Sequence, residues 1–147
     1  VVRAAAAKAR EVKNRLGARV PVLGADTTVV LDGAILGKPA DEGEAFSMLS
    51  RLAGREHGVY TGVCAISGEG ETFTDAVKSV VRFRALNQAE IRAYLAVGES
   101  LDKAGAYGAQ GAGAMLIEEI SGSLTNVIGL PLSRALELLH KAGLDHM

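Results

Sequence analysis

Two charged residues near the start of the chain are the first candidates for chemistry, because both interrupt otherwise apolar segments. Asp26 lies inside an apolar run that begins at Val20, and a buried carboxylate is costly unless it lines a cavity. Lys38 follows the returning arm of a hairpin predicted to turn at Asp32–Gly33, since Asp-Gly between apolar runs favours a type I′ turn. A carboxylate and a cation on opposite arms could meet at one cleft and suit a metal-bound phosphate. The alternative is structural: a half-buried Asp that caps a turn and a solvated Lys.

A second candidate stretch begins at Lys103, where four glycines fall within the nine positions from 105 to 113. So much glycine argues against a regular helix, and small side chains let a ligand approach the backbone N–H groups. The spacing matches neither the Walker loop nor the dinucleotide fingerprint. Because Lys103 and Gln110 are long and polar among small residues, we predict a ligand site here. A flexible loop is the alternative.

Three further residues carry reactive groups, but a structural role is favoured for each on the pattern alone. Lys8 lies in a predicted helix over residues 1–16, where a solvated lysine is the simpler interpretation. His57 has no His or Cys partner at metal-binding spacing. Cys64 lies in an apolar strand, which is typical of an inert core thiol.

The elements that must position these residues alternate between helix and strand. After the first helix, which Gly17 ends, the patterns predict the following elements: the hairpin around Asp26, a helix capped by Asp41, strands over 56–66 and 72–84, a short helix capped by Asn87, a strand over 115–120 and a last helix after Pro131. The two long strands flank a short turn, which favours an antiparallel pair.

Length and charge indicate one domain with no affinity for nucleic acid or membranes. The chain has 147 residues, enough for a substantial core. Its net charge of −1 gives no basic field, and no apolar run approaches the roughly 20 residues that span a bilayer. A single cysteine excludes an internal disulfide, so a reducing cytoplasm is the expected compartment. The first residues already have a helical pattern without a cap, so we expect the natural chain to continue upstream.

Several short motifs occur in a fixed order over nearly the whole chain. They are Gly-Ala-Asp-Thr at 24–27, Gly-Lys-Pro at 37–39, Leu-Ala-Gly-Arg at 52–55, His57 with Val-Tyr-Thr-Gly at 59–62, Asp-Lys-Ala-Gly-Ala-Tyr-Gly at 102–108, Gln-Gly at 110–111 and Gly-Leu-Pro-Leu at 129–132. Together they resemble the Maf family, nucleotide pyrophosphatases first associated with septum formation in bacteria.

The resemblance implies an elongated two-lobed α/β fold, with a twisted mixed sheet flanked by helices and a central cleft. It also implies hydrolysis of nucleoside triphosphates to monophosphate and pyrophosphate with a divalent cation, Mg²⁺, Mn²⁺ or Co²⁺. Asp26 would then be the catalytic carboxylate, and its charge would also suit a metal ligand. Lys38 and Lys8 would match lysines that face the phosphates, and Lys103 carries a charge that could join them.

Substrate choice is implied by two further positions, Thr27 and Gln110. The Tyr-Gly-x-Gln-Gly segment at 107–111 is similar to the branch that prefers dTTP and UTP. Nothing at the start matches the Ser-x-Ser-Pro-Arg-Arg-like segment with which the family opens. A single family domain over 1–147, truncated at its N-terminus, is therefore expected.

Two other functions compete with this interpretation. One is a non-catalytic nucleotide-binding or cell-division module that acts through a protein partner. The other is an enzyme for modified purine nucleotides on a related fold. The intact carboxylate and lysines favour the pyrophosphatase. The sequence leaves the metal, the preferred base and the oligomeric state open, a homodimer included.

Overall fold

The computed structural model describes residues 1–17 and 19–144. Within them the chain forms these helices and strands: α1 Val2–Leu16, β1 Val22–Leu31, β2 Ala34–Leu36, α2 Glu42–Leu52, β3 Glu56–Ile66, β4 Thr72–Phe83, α3 Gln88–Leu95, β5 Ile117–Ser121, α4 Leu124–Ile128 and α5 Leu132–Lys141. Two 3₁₀ turns, Ala104–Ala106 and Gly111–Leu116, precede β5. In the described parts of the chain, no helix combines the length and the apolar character needed to cross a bilayer.

The strands form a five-stranded sheet in the order β2–β1–β3–β4–β5. Strands β1 and β2 pair antiparallel around Asp32 and Gly33, whose φ angles of 50° and 79° are those that the predicted turn requires. Strands β4 and β5 are also antiparallel, and β3 turns into β4 where Ser67 N–H donates to the carbonyl of Glu71. The α/β class and the helix-flanked sheet are confirmed. The sheet is antiparallel rather than mixed. Tight turns account for the β1–β2 and β3–β4 connections, whereas α2 lies between β2 and β3 and α3 lies between β4 and β5.

Contacts between Cα atoms divide the chain into two compact units. Unit 1 comprises Val1–Thr27, Tyr60–Lys78 and the stretch from Thr125 onward, and unit 2 comprises Thr28–Val59 and Ser79–Leu124. The single domain expected from chain length stays a prediction.

In unit 1, helices cover both faces of the strands. One face packs against α1 through a cluster of small and aliphatic residues: Ala5, Ala9, Val22, Cys64 and Ile66. The other face packs against α5 through a second cluster: Val63, Ala65, Leu138 and Ala142. Alternate residues of β3 thus meet different helices, as the two-residue period of a strand requires.

In unit 2, the packing centres on α2 and an aromatic cluster. Helix α2 begins at Asp41, whose side chain accepts the N–H of Glu44 at 2.8 Å, and it packs against α3. The rings of His57, Phe83 and Tyr107 meet edge to face, with centroids 4.7 to 5.4 Å apart. Such geometry is favourable between aromatic rings beyond the area that they bury.

The structure departs from the predicted elements in two places. The glycine-rich stretch contains 3₁₀ turns, so β5 begins at Ile117 and not at Met115. The short helix α4 was not predicted, because five residues are too few for an apolar period to appear.

Candidate active site

The predicted catalytic carboxylate, Asp26, forms an ion pair with Lys8. The Nζ atom of Lys8 lies 3.0 Å from Oδ1 of Asp26 and also donates to the carbonyl of Ala25 at 3.1 Å. The Asp26 side chain is 24% exposed, whereas that of Lys8 is 59% exposed. So exposed a pair contributes little to stability, and its consequence is to fix the orientation of the carboxylate. The helical, largely exposed position that the pattern favoured for Lys8 is thus what the structure shows, with Asp26 as an added partner.

Gly24 explains why Lys8 reaches Asp26. A Cβ atom on Gly24 would collide with the carbonyl oxygen of Ala5 and lie 2.9 Å from the nitrogen of Ala9. The backbone of α1 therefore lies directly on β1 at this point. Gly24 and Asp26 share a face of the strand because they are two residues apart, so this close approach brings Lys8 over the carboxylate.

Asp26 offers one carboxylate to a divalent cation. Its Oδ1 accepts from Lys8, whereas its Oδ2 accepts from no described residue. Among residues 1–17 and 19–144, no three His, Cys, Asp or Glu side chains cluster in a way that could hold a metal. This donor set fits a hard cation that arrives with phosphate oxygens, since Mg²⁺ commonly uses one or two protein carboxylates plus the substrate.

Thr27 follows Asp26 in the chain but lies on the opposite face of β1, because neighbouring side chains of a strand alternate. Its Oγ1 lies 2.8 Å from Oγ1 of the buried Thr61 and 3.4 Å from the carbonyl oxygen of Gly129. Thr61 can also donate to the carbonyl of Asn126 at 3.3 Å. Thr27 therefore joins β1 to β3 and to the end of α4, and its contact with a substrate stays a prediction.

Lys38 and Lys103 lie in unit 2, near one carboxylate. The Nζ of Lys103 lies 3.1 Å from Oδ1 of Asp102. That hydrogen bond, and then the Lys103 charge, lower the pKa of Asp102, with a smaller contribution from the charge of Lys38. The N–H of Gly105 donates to the carbonyl of Gly37 at 3.1 Å. The glycine-rich loop thus begins beside the strand end that carries Lys38.

Gln110 lies between the two 3₁₀ turns and is exposed. Its amide hydrogen-bonds to no residue in the described parts of the chain, so it is available to a ligand. A Cβ on Gly113 would overlap the carbonyl of Gly108, and a Cβ on Gly108 would lie 2.7 Å from Cε of Lys103. Glycine is needed at 113, where the obstacle is the backbone of Gly108, whereas at 108 the obstacle is the flexible end of Lys103.

Sequence reasoning missed two side chains that hold this loop, Tyr94 and Glu99. The Glu99 carboxylate accepts the Tyr94 O–H at 2.7 Å and the Gly113 N–H at 3.0 Å. Tyr94 lies in the predicted short helix capped by Asn87, where an apolar period carries no sign of a role for its hydroxyl. The signal that could have found Glu99 is a carboxylate just before a glycine-rich stretch whose N–H groups need acceptors.

His57 and Cys64 are buried, in agreement with the structural roles predicted for them. The Nε2 of His57 lies 2.6 Å from Oη of Tyr107, and burial lowers the pKa of His57 to about 4. Burial raises the pKa of the Cys64 thiol. Both side chains are therefore uncharged at neutral pH.

Comparison with known families identifies the class to which this fold and site belong. The model of the Maf-like protein family matches residues 1–142, and the chain belongs to that family. The family resemblance drawn from the motifs is confirmed.

Relatives in the family carry more particular names. The chain is 55% identical over 121 residues to a dTTP/UTP pyrophosphatase of Clostridioides difficile (strain 630), an alignment that covers 82% of this chain and 62% of that protein. It is 50% identical over 143 residues to a dTTP/UTP pyrophosphatase of Symbiobacterium thermophilum, covering 97% of this chain and 73% of the relative. It is 45% identical over 140 residues to a nucleoside triphosphate pyrophosphatase of Haemophilus ducreyi, covering 95% and 70%. The chain thus spans 62% to 73% of the length of these relatives.

Proposed function

We propose that this protein hydrolyses dTTP and UTP to the nucleoside monophosphate and pyrophosphate. The observation that carries the proposal is the half-buried Asp26 carboxylate held by Lys8, with one oxygen left for a ligand. The names of the relatives that match most of the chain support the same reaction. We also propose a cytoplasmic location, where nucleoside triphosphates and a reduced Cys64 would both be expected.

Asp26 is proposed to accept the proton of the attacking water. The oxygen of that water forms a bond to the α-phosphorus. The bond between this phosphorus and the oxygen that bridges it to the β-phosphorus breaks, and pyrophosphate leaves with that bridging oxygen. A positioned general base typically contributes a factor of about 10² to 10⁴ in rate. Lys8 holds Oδ1 of Asp26, so Oδ2 is the oxygen that faces the water or the cation.

A divalent cation, when bound, neutralises phosphate charge and makes water easier to deprotonate. Oδ2 of Asp26 would be the protein ligand in the alternative in which Asp26 holds the cation instead of taking the proton, as Mg²⁺, Mn²⁺ or Co²⁺ takes oxygen donors with phosphate. Lys38 and Lys103 are proposed to stabilise the negative charge of the leaving pyrophosphate. Thr27 and Gln110 are proposed to influence the choice of base, Gln110 through its free amide and Thr27 through its hydroxyl.

The test is Asp26→Asn, which keeps the shape of the side chain and removes the base. Pyrophosphate release from UTP and dTTP with Mg²⁺ or Mn²⁺ should fall by about 10² or more, while binding of UTP persists. Asp75→Asn is the matched control, because Asp75 is also a partly exposed unit 1 carboxylate, paired with Arg134 at 2.9 Å. Wild-type turnover in Asp26→Asn would end the assignment.

The same assay separates the alternatives. Nucleotide binding without pyrophosphate release by the wild-type protein would favour the non-catalytic module. A panel that includes modified purine nucleotides distinguishes a purine-directed enzyme, which would release pyrophosphate faster from those than from UTP.

A further inference from the structure

We propose that Tyr94 and Glu99 are positioning residues for Gln110, and that they thereby set the preference between uracil-type and cytosine-type bases. The inference rests on the proposed function, in which the Gln110 amide contacts the base. Neither residue is proposed to touch the substrate.

A closed set of hydrogen bonds carries the inference. The N–H of Gly108 donates to the hydroxyl oxygen of Tyr94 at 3.2 Å, and the Tyr94 O–H donates to Oε1 of Glu99 at 2.7 Å. The N–H of Gly113 donates to the same Oε1 at 3.0 Å. Two side chains therefore fix both ends of the six-residue segment 108–113, in which Gln110 is the long polar residue.

The backbone leaves this segment little freedom between those two ends. Gly113 lies against the carbonyl of Gly108, with no room for a Cβ, and a Cβ on Gly111 would lie 3.4 Å from Oε2 of Glu99. Both carboxylate oxygens thus face the loop. Removing the Tyr94 hydroxyl would leave the Gly108 N–H without its acceptor and Glu99 with one donor fewer.

The protonated state of the Tyr94 phenol keeps the directions of these bonds fixed. Burial, and then the hydrogen bond to Glu99, raise the pKa of Tyr94. The phenol therefore stays protonated over the working range, donates to the carboxylate and accepts from the backbone. With the phenol protonated, Tyr94 has one hydrogen to donate, and Glu99 is the acceptor of that hydrogen.

Base selection requires a fixed amide, because a primary amide offers a donor and an acceptor that exchange places when it flips. The uracil and thymine edge presents N3–H as a donor between two carbonyl acceptors, whereas cytosine presents N3 as an acceptor beside an amino group. A Gln110 amide that could turn freely would satisfy either edge. A loop fixed at both ends holds the backbone angles of Gln110. Because the rotamers open to a side chain depend on those angles, the fixed loop restricts the orientations that the amide can present to the base.

The experiment compares kcat/KM for UTP and CTP in the wild-type protein and in Tyr94→Phe. One lost hydrogen bond is worth about 1 kcal/mol, so the UTP-to-CTP ratio should fall by about 5- to 10-fold, mainly through a rise in KM for UTP. Glu99→Gln should lower the ratio in the same direction. Tyr60→Phe is the control, since Tyr60 is a partly exposed unit 1 tyrosine whose ring lies 5.4 Å from Nζ of Lys78; its ratio should equal that of the wild type.

A double-mutant cycle distinguishes positioning from general loss of stability. Gln110→Ala should remove most of the preference, and adding Tyr94→Phe to it should change the ratio no further. The inference would be overturned if Tyr94→Phe left the UTP-to-CTP ratio of kcat/KM unchanged. It would also be overturned if Tyr94→Phe lowered that ratio equally in the wild-type protein and in Gln110→Ala. Thermal unfolding of each variant shows that the comparison is made on folded protein.

Failure of the proposed function gives a different result. If the wild-type protein releases no pyrophosphate, calorimetry measures the Kd for UMP and the Kd for CMP, and the ratio of these two constants replaces the kinetic ratio. Preferential binding of UMP that Tyr94→Phe weakens would support the positioning role without catalysis. Equal or absent binding of both would overturn it.

Discussion

Acid should destabilise this protein through one buried side chain, His57. His57 is 3% exposed, its Nε2 is bonded to Tyr107, and its Nδ1 has no partner among the described residues. A proton on the ring would add a charge among the rings of Phe83 and Tyr107. Burial accordingly lowers the pKa of His57 from 6.5 to about 4.

The sign and size of the effect follow from proton uptake. Between pH 6.5 and about 4 the unfolded chain binds a proton at this position that the folded chain does not bind. The His57 contribution is therefore intact above pH 6.5 and is lost as the pH falls towards 4. At about 1.4 kcal/mol per pH unit, the loss amounts to about 3 kcal/mol, or a fall in Tm of about 6 to 12 °C.

The measurement is the free energy of unfolding in urea at pH steps from 7.5 to 4.5. His57→Gln can still hydrogen-bond Tyr107 but cannot titrate, so its stability should be nearly flat over this range. His140→Gln, at an exposed position near the end of α5, should keep the wild-type slope. Glu90 and Asp102 have pKa values lowered by Arg84 and Lys103, so their contribution is lost only at lower pH. Equal slopes for the wild type and His57→Gln would refute the reasoning.

Two further predictions concern the contact of α1 with β1. Gly24→Ala should destabilise the fold by about 1 to 3 kcal/mol, because the added methyl group meets the α1 backbone; Gly43→Ala in α2 should instead stabilise it by up to about 1 kcal/mol. Equal effects of these two changes in urea unfolding would contradict the close approach. Lys8→Met should lower kcat/KM for UTP by about 10-fold, since Asp26 loses a charge-assisted bond, whereas Lys141→Met should not; unchanged kinetics would limit Lys8 to a structural role.

Local chemistry made much of the fold predictable. The turn at Asp32–Gly33 was predicted because only a few residue types tolerate positive φ at both positions. The cap at Asn87 was predicted because a short polar side chain before an apolar period, with Glu90 three residues later, satisfies free N–H groups; both reciprocal bonds are present. These signals need only neighbouring residues, so no tertiary information was required.

The candidate site depends on contacts that no local pattern contains. The pairing of Lys8 with Asp26 requires α1 to lie on β1, which depends on a glycine whose role is visible only in three dimensions. The placement of Thr27 on the face opposite Asp26 follows from strand alternation, but the partners there, Thr61 and Gly129, come from distant parts of the chain. Sequence could therefore indicate the reactive residues but not which of them share a surface.

The aromatic residues of this chain make the glycine-rich loop observable without a label. The sequence contains three tyrosines and no tryptophan. Tyr94 and Tyr107 are each 5% exposed, and both belong to the packing that surrounds the loop in unit 2. Near-ultraviolet circular dichroism of the unmodified protein is therefore dominated by chromophores at this loop. A nucleotide that rearranges it should change that spectrum, which gives an optical titration in native buffer.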